Sequence, residues 1–258
     1  MRRLIPCLLL ASIALPPAAH AQINMAWNNC ITEADHAENL AYACDGSRNG
    51  QPMRCVVSFI SPDALTAFVG FGADFYVYVA SYPYTDYTPP ALPDFWRLGV
   101  GECRDNNIAF PTSLAGIGGT ACRNPWVGAN TAGGWSWTSQ PNGFNVARLQ
   151  LAFACDTPRS LQTGQQYLAG AFAIDTWGDT QTTDHAECPG CCLPVVISAN
   201  QMTLYQVSGT PPQDTYVLNG AGYHPFVLWN SDYANYVPGC QPVPTRRATW
   251  GSIKATYR

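Results

Sequence analysis

Asn145-Val146-Ala147-Arg148-Leu149-Gln150-Leu151-Ala152-Phe153-Ala154-Cys155 alternates at every step, so Ala147, Leu149, Leu151, Phe153 and Cys155 fall on one side. Successive side chains of a strand point to opposite faces, which makes this stretch a strand with one face against a core. Residues 53–60 read the same way, with Met53, Cys55, Val57 and Phe59 together. Working outward, short apolar segments punctuated by Gly, Pro, Asn and Asp recur at 66–71, 75–80, 95–100, 166–175, 194–207, 215–218 and 226–229. Leu161-Gln162-Thr163-Gly164 reads as the turn entering the strand at Gln166. This repetition predicts an all-β fold, one disulfide-stabilised antiparallel β-sandwich of jelly-roll or immunoglobulin-like type with long loops. The proline-rich segment 83–93 and the glycine-rich stretch 116–143 are expected as those loops, where binding residues concentrate.

Composition agrees. Of 258 residues 47% are hydrophobic and only 12% charged, so the chain can bury a core and is not intrinsically disordered. A formal net charge of -4, with no Lys/Arg stripe, gives no basic field for nucleic acid. The longest apolar stretch after the N-terminus, 64–80, contains Asp74, two glycines and alternating aromatics, so it is expected as strand and not as a membrane span.

Met1-Arg2-Arg3, an apolar run from Leu4 to Leu15 and Ala19-His20-Ala21 have the layout of a secretory signal peptide. Residues 1–21 are therefore expected to be removed, and the product to be secreted or held at the cell surface. Ten cysteines follow, at 30, 44, 55, 103, 122, 155, 188, 191, 192 and 240, an even number in an exported chain and hence expected as disulfides. Cys55 and Cys155 both sit on inward strand faces and are expected to bridge two sheets. Loop length alone suggests Cys30 with Cys44 and Cys103 with Cys122. Thr32-x-x-Asp35 opens the one helical candidate, 33–43. Ten helical residues span about 15 Å, too far for a Cys30–Cys44 bond, so a loop is expected there.

Chemistry-bearing clusters are few. Asp184-His185-Ala186-Glu187-Cys188-Pro189-Gly190-Cys191-Cys192 contains a His-x-x-Cys-x-x-Cys spacing that suits zinc in a reducing compartment, but export favours disulfides. Asp35-His36-Ala37-Glu38 repeats Asp184 to Glu187, which chance explains. Asp175, Asp179 and Asp184 lack EF-hand spacing and read as turn acids. His36, His185 and His224 accompany no nucleophile elbow, and the four glutamates, Glu33, Glu38, Glu102 and Glu187, read as solvated loop acids instead of a glycosidase pair. Cleavage after Ala19 would expose His20 in the manner of copper-dependent polysaccharide oxygenases, but Pro17 disfavours that site. No metal or cofactor is expected. The ligand-binding expectation rests on aromatics: Trp135 and Trp137, two apart on one strand face, and Tyr82, Tyr84 and Tyr87 in the proline-rich loop. The function expected is non-catalytic binding of an extracellular glycan or surface protein, or a structural role; the alternative is a secreted carbohydrate-active enzyme.

Residues 22–245 carry seven Arg and 17 acidic residues, whereas 246–258 carry Arg246, Arg247, Lys254 and Arg258 and no acid. The expected organisation is a signal peptide at 1–21, a β domain at 22–245 and a basic tail at 246–258, either a sorting tail or a closing element. The ending from Pro244 to Arg258, with Trp250-Gly251-x-Ile253-Lys254, resembles that of a group of uncharacterised secreted bacterial proteins, as do Trp27-Asn28-Asn29-Cys30 and Cys188-x-x-Cys191 before Pro194-Val195. The resemblance implies a secreted β-rich protein and transfers no catalytic residue. Cys55 and Cys155 are additional to that group's pattern, which supports their pairing.

Overall fold

The computed structural model describes residues 22–31, 36–42, 44, 52–80, 91–105, 107–110, 122–141, 145–175, 188–211, 213–219 and 224–230. Residues 1–21, Tyr82, Tyr84, Tyr87, Asp179, residues 184–187, Cys240 and residues 246–258 lie outside the described residues.

The regular structure of the described residues is almost entirely strand: β1 (Gln22–Trp27), β2 (Asn39–Leu40), β3 (Met53–Ile60), β4 (Leu65–Val79), β5 (Ile108–Ala109), β6 (Thr131–Ser139), β7 (Ala147–Leu161), β8 (Gln166–Ile174), β9 (Val195–Gln206), β10 (Thr215–Asn219) and β11 (Phe226–Trp229). They form two sheets. The smaller has the order β1-β3-β8-β5, and the larger β2-β11-β9-β4-β7-β6 with β10 also on β9. Described pairs are antiparallel except β2 with β11.

The two strands expected at 66–71 and 75–80 are one, because Gly72, Ala73 and Asp74 continue the alternation: Ala73 is buried while Gly72 and Asp74 look outward. The 95–100 segment is not a strand. Asp94–Trp96 is a single 3-10 turn, and Arg104, itself buried, lies 3.9 Å over the Phe95 ring and donates to the Phe95 carbonyl at 3.2 Å. Apolar content there reflects a plug of Phe95 and Trp96 against Trp229, with ring centroids 5.8 and 5.3 Å away. The expected loop 116–143 contains β6, whose two glycines mask its strand character in the sequence. Within 36–42 the loop expectation holds apart from the two residues of β2.

Aromatic side chains join the sheets. Phe59 of β3 meets Phe68 of β4 at 6.0 Å, Phe172 of β8 meets Phe75 of β4 at 6.2 Å, and Trp27 of β1 meets Trp229 of β11 at 5.9 Å. Buried indoles also need hydrogen-bond acceptors. Trp27 Nε1 donates to the Leu228 carbonyl at 2.8 Å, Trp229 Nε1 to that of Cys191 at 2.7 Å, and Trp126 Nε1 to that of Ala169 at 2.9 Å.

Three disulfides are present among the described residues, Cys30–Cys122, Cys44–Cys191 and Cys103–Cys188, and Cys192 is disulfide-bonded too. The two local pairings are thereby overturned, since tertiary placement outweighs loop length. Asn230 accepts from the Tyr42 amide at 2.6 Å and donates to the Cys191 carbonyl at 3.1 Å, which draws Cys44 and Cys191 together. The Phe95 amide donates to the Pro189 carbonyl at 3.0 Å, which brings Cys188 to Cys103. Cys55 and Cys155 are free and buried, contrary to the expected inter-sheet bridge. Both do face inward, but at different heights. Cys55 pairs with Phe172, which touches Phe75, and Phe75 pairs with Leu149. Cys155 lies six residues further along β7, about 20 Å at strand rise.

Each native bridge is typically worth about 2–4 kcal/mol. Peptide mapping should return the three pairings above, and alkylation without reduction should label Cys55 only after unfolding. Burial lifts the Cys55 thiol well above its usual range near about 8.5. The unfolded chain therefore loses that proton first, so the stability this thiol contributes is complete below that range and falls as pH rises above it. Urea midpoints should drop between neutral and strongly alkaline pH, and Cys55→Ala should remove part of that drop.

Candidate ligand-binding face

Alternation sorts the larger sheet into a core face and an outer face, and register then decides which outer side chains meet. Gly134 of β6 pairs with Ala152 of β7, Ala152 with Gly72 of β4, and Gly72 with Thr203 of β9. Two residues along, Ser136, Gln150, Asp74 and Gln201 form a parallel row. The first row is small and the second is polar and longer. Side-chain height therefore steps between them, and the sheet carries an open groove of about 550 Å³ that also borders on Trp135 and Tyr205.

Tyr205 is 42% exposed and opposes Gly70 across the ladder, yet it leans toward Gly72. A Cβ at Gly72 would lie 3.3 Å from the Tyr205 hydroxyl and 3.6 Å from its ring, so the glycine makes room for the ring to lie along the sheet. Over Gly134 there is nothing within 4 Å of the Cβ position. Asp74 is held by Arg148 through two bonds, Nε to Oδ1 at 3.2 Å and Nη2 to Oδ2 at 2.8 Å. The Asp74 carboxylate in turn raises the Arg148 pKa, chiefly by accepting its hydrogen bonds. Among the described lining residues Asp74 is the one charged at neutral pH, and Arg148 matches its charge.

Trp135 and Trp137 do share a strand face, but it is the inward one. Their β7 partners Leu151 and Leu149 are buried, and both indoles are half-buried against the core margin. Trp137 reaches the turn at Gly99, and its Nε1 donates to Ser139 at 3.0 Å. Trp135 remains a border of the groove, while the exposed ring is that of Tyr205, which the sequence did not single out. Its signal was available only through pairing, since nothing in residues 194–207 marks one tyrosine as the neighbour of a glycine.

The remaining clusters disperse. Cys188, Cys191 and Cys192 are all in disulfides, so the zinc spacing does not supply thiolates, and no group of metal-ligating residues occurs among the described residues. Glu38 pairs with His224 at 2.9 Å. A second cavity of about 330 Å³ is lined by Asp94, Arg97 and Glu102 among others. There Arg97 binds Asp94 at 3.1 Å and Glu102 at 3.6 Å, and Glu102 also accepts from the Gly99 amide at 2.8 Å. Both carboxylates are thus committed to one guanidinium. No protein-family model matches the chain, and no curated protein or solved structure matches it either.

Adjacent glycines of β6 separate folding from site. A Cβ at Gly133 would sit 2.1 Å from the Phe153 ring and 2.7 Å from the Ala152 carbonyl. Gly133→Ala should therefore cost about 1–3 kcal/mol and lower the melting temperature, whereas Gly134→Ala should leave it unchanged. Thermal unfolding of the two variants checks both.

Proposed function

We propose that residues 22–245 form an exported, non-catalytic binding protein, an antiparallel β-sandwich of jelly-roll or immunoglobulin-like type. Its ligand, an extracellular glycan or surface protein, lies on the outer face of the larger sheet. The observation that carries this reading is the groove, a concave site whose height step, exposed aromatic and amide side chains stand on paired strands. Export is supported by the disulfides, which persist in oxidising compartments, by the signal-like residues 1–21, and by the resemblance of the C-terminal ending. Among the described residues no helix is long and apolar enough to cross a membrane. The absence of catalysis is supported by Asp94 and Glu102 being tied to Arg97, where a glycosidase needs one free acid and one free base.

Screening the protein against glycan arrays and surface-protein extracts should yield a ligand, and Gly134→Arg should lose at least tenfold in capture with an unchanged melting temperature. The space over Gly134 admits the long side chain without moving the fold. Capture that Gly134→Arg leaves intact overturns the outer-face assignment. New reducing ends appearing from a polysaccharide overturn the non-catalytic reading in favour of the carbohydrate-active enzyme.

A further inference from the structure

We infer that the groove holds an internal segment of an uncharged polysaccharide lying across the strands, an inference that rests on the outer-face reading above. Three observations select this ligand. The first is charge. Asp74 is the groove's carboxylate and is already paired through two hydrogen bonds with Arg148, while no Lys, Arg or His is among the described lining residues. A uronate or sulfate group entering here would lose water and face the Asp74 carboxylate, and the adjoining Arg148 guanidinium is already paired with that carboxylate, which makes entry costly. The second is the donor and acceptor set. Gln150, Gln201, Ser136, Thr203 and the Tyr205 hydroxyl offer groups that both give and accept hydrogen bonds, the complement of a ring of sugar hydroxyls. The Tyr205 ring, laid along the sheet over Gly72, presents an apolar face on which the C–H face of a pyranose can rest.

The third is the groove's shape. It runs across β6, β7, β4 and β9, and three inter-strand gaps of about 4.8 Å give roughly 15 Å, longer than one sugar ring. At one end lies the sheet edge at β6. At the other, Thr203 pairs with Val217 of β10, whose side chain is 54% exposed and walls nothing off. Among the described residues the site is open at both ends, so it accepts a chain in passing and does not select a terminus.

Affinity electrophoresis and calorimetry on the whole protein test this, with glucomannan, arabinoxylan, xyloglucan and dextran set against polygalacturonate and heparin. At least one neutral polymer should retard the protein, with affinity unchanged between low and 1 M salt. Its hexasaccharide should bind at least tenfold more tightly than its disaccharide. Tyr205→Ala should weaken binding at least tenfold and Gln150→Ala several-fold, each with an unchanged melting temperature. Salt-sensitive binding of the anionic polymers alone, still abolished by Tyr205→Ala, overturns the uncharged ligand and leaves the face standing. Equal affinity for disaccharide and hexasaccharide overturns the crossing chain. Neutral-polymer binding untouched by both substitutions overturns the face itself, and retention by none of the six polymers overturns the ligand class.

Discussion

The register of β4 is the constraint on which both the interior and the groove depend. One strand supplies Phe71, Ala73, Phe75 and Val77 to the core and Gly72 and Asp74 to the groove, and it pairs with β7 on one side and β9 on the other. A slip of one residue would turn the phenylalanines to solvent and bury the carboxylate. Irregularities between Phe68 and Gly70 in both ladders fix the alignment, and at Gly70 the Phe153 carbonyl comes within 2.4 Å of where a Cβ would be. The same close approach that locks the core thus sets which outer side chains become neighbours.

Around the far end of the larger sheet, stability is concentrated at Trp229. Trp27, Tyr42, Phe95 and Trp96 surround its ring, and its indole nitrogen is bonded to Cys191, itself linked to Cys44. The Asp94–Trp96 turn, which belongs to no ladder, is held in this aromatic knot, and residues 36–42 add Tyr42 to it while β2 pairs with β11. That arrangement leaves the groove at a distance from the crowded end, on strands that have a partner on both sides except at β6.

What the sequence disclosed follows from what alternation can carry. In β7 and β10 alternation matches burial, β3, β8, β9 and β11 are legible as apolar strands though much of both their faces is buried, and the Leu161-Gln162-Thr163-Gly164 turn precedes β8 with Gly164 at a φ of +72°. Only the first half of β6 is hidden, because Thr131-Ala132-Gly133-Gly134 has no apolar face to show, whereas Trp135 and Trp137 mark a strand face, and Phe95-Trp96 misleads because a plug and a strand share composition. The disulfide partners were illegible for a different reason: pairing depends on where strands end in space. Cys55 and Cys155 share an inward orientation but not a height. The groove belongs to the same category, since Gly134, Ala152, Gly72 and Thr203 become a row only through three separate registers. Tyr205, the exposed ring, reads in one dimension as any strand tyrosine.

The disulfide pattern has a consequence for how the chain is made. Cys30–Cys122 crosses both Cys44–Cys191 and Cys103–Cys188, and the three close separations of 92, 147 and 85 residues. Synthesis presents thiols in chain order, so Cys30, Cys44 and Cys55 are together in an oxidising space before any native partner exists. Short loops close at lower entropic cost than long ones, and the earliest bonds open to these thiols are therefore wrong ones. Reaching the native set then requires a thiolate to attack and release such a bond. The native bonds therefore close only once segments far apart in the chain have met, and β3 lies between β1 and β8 with Cys55 still reduced.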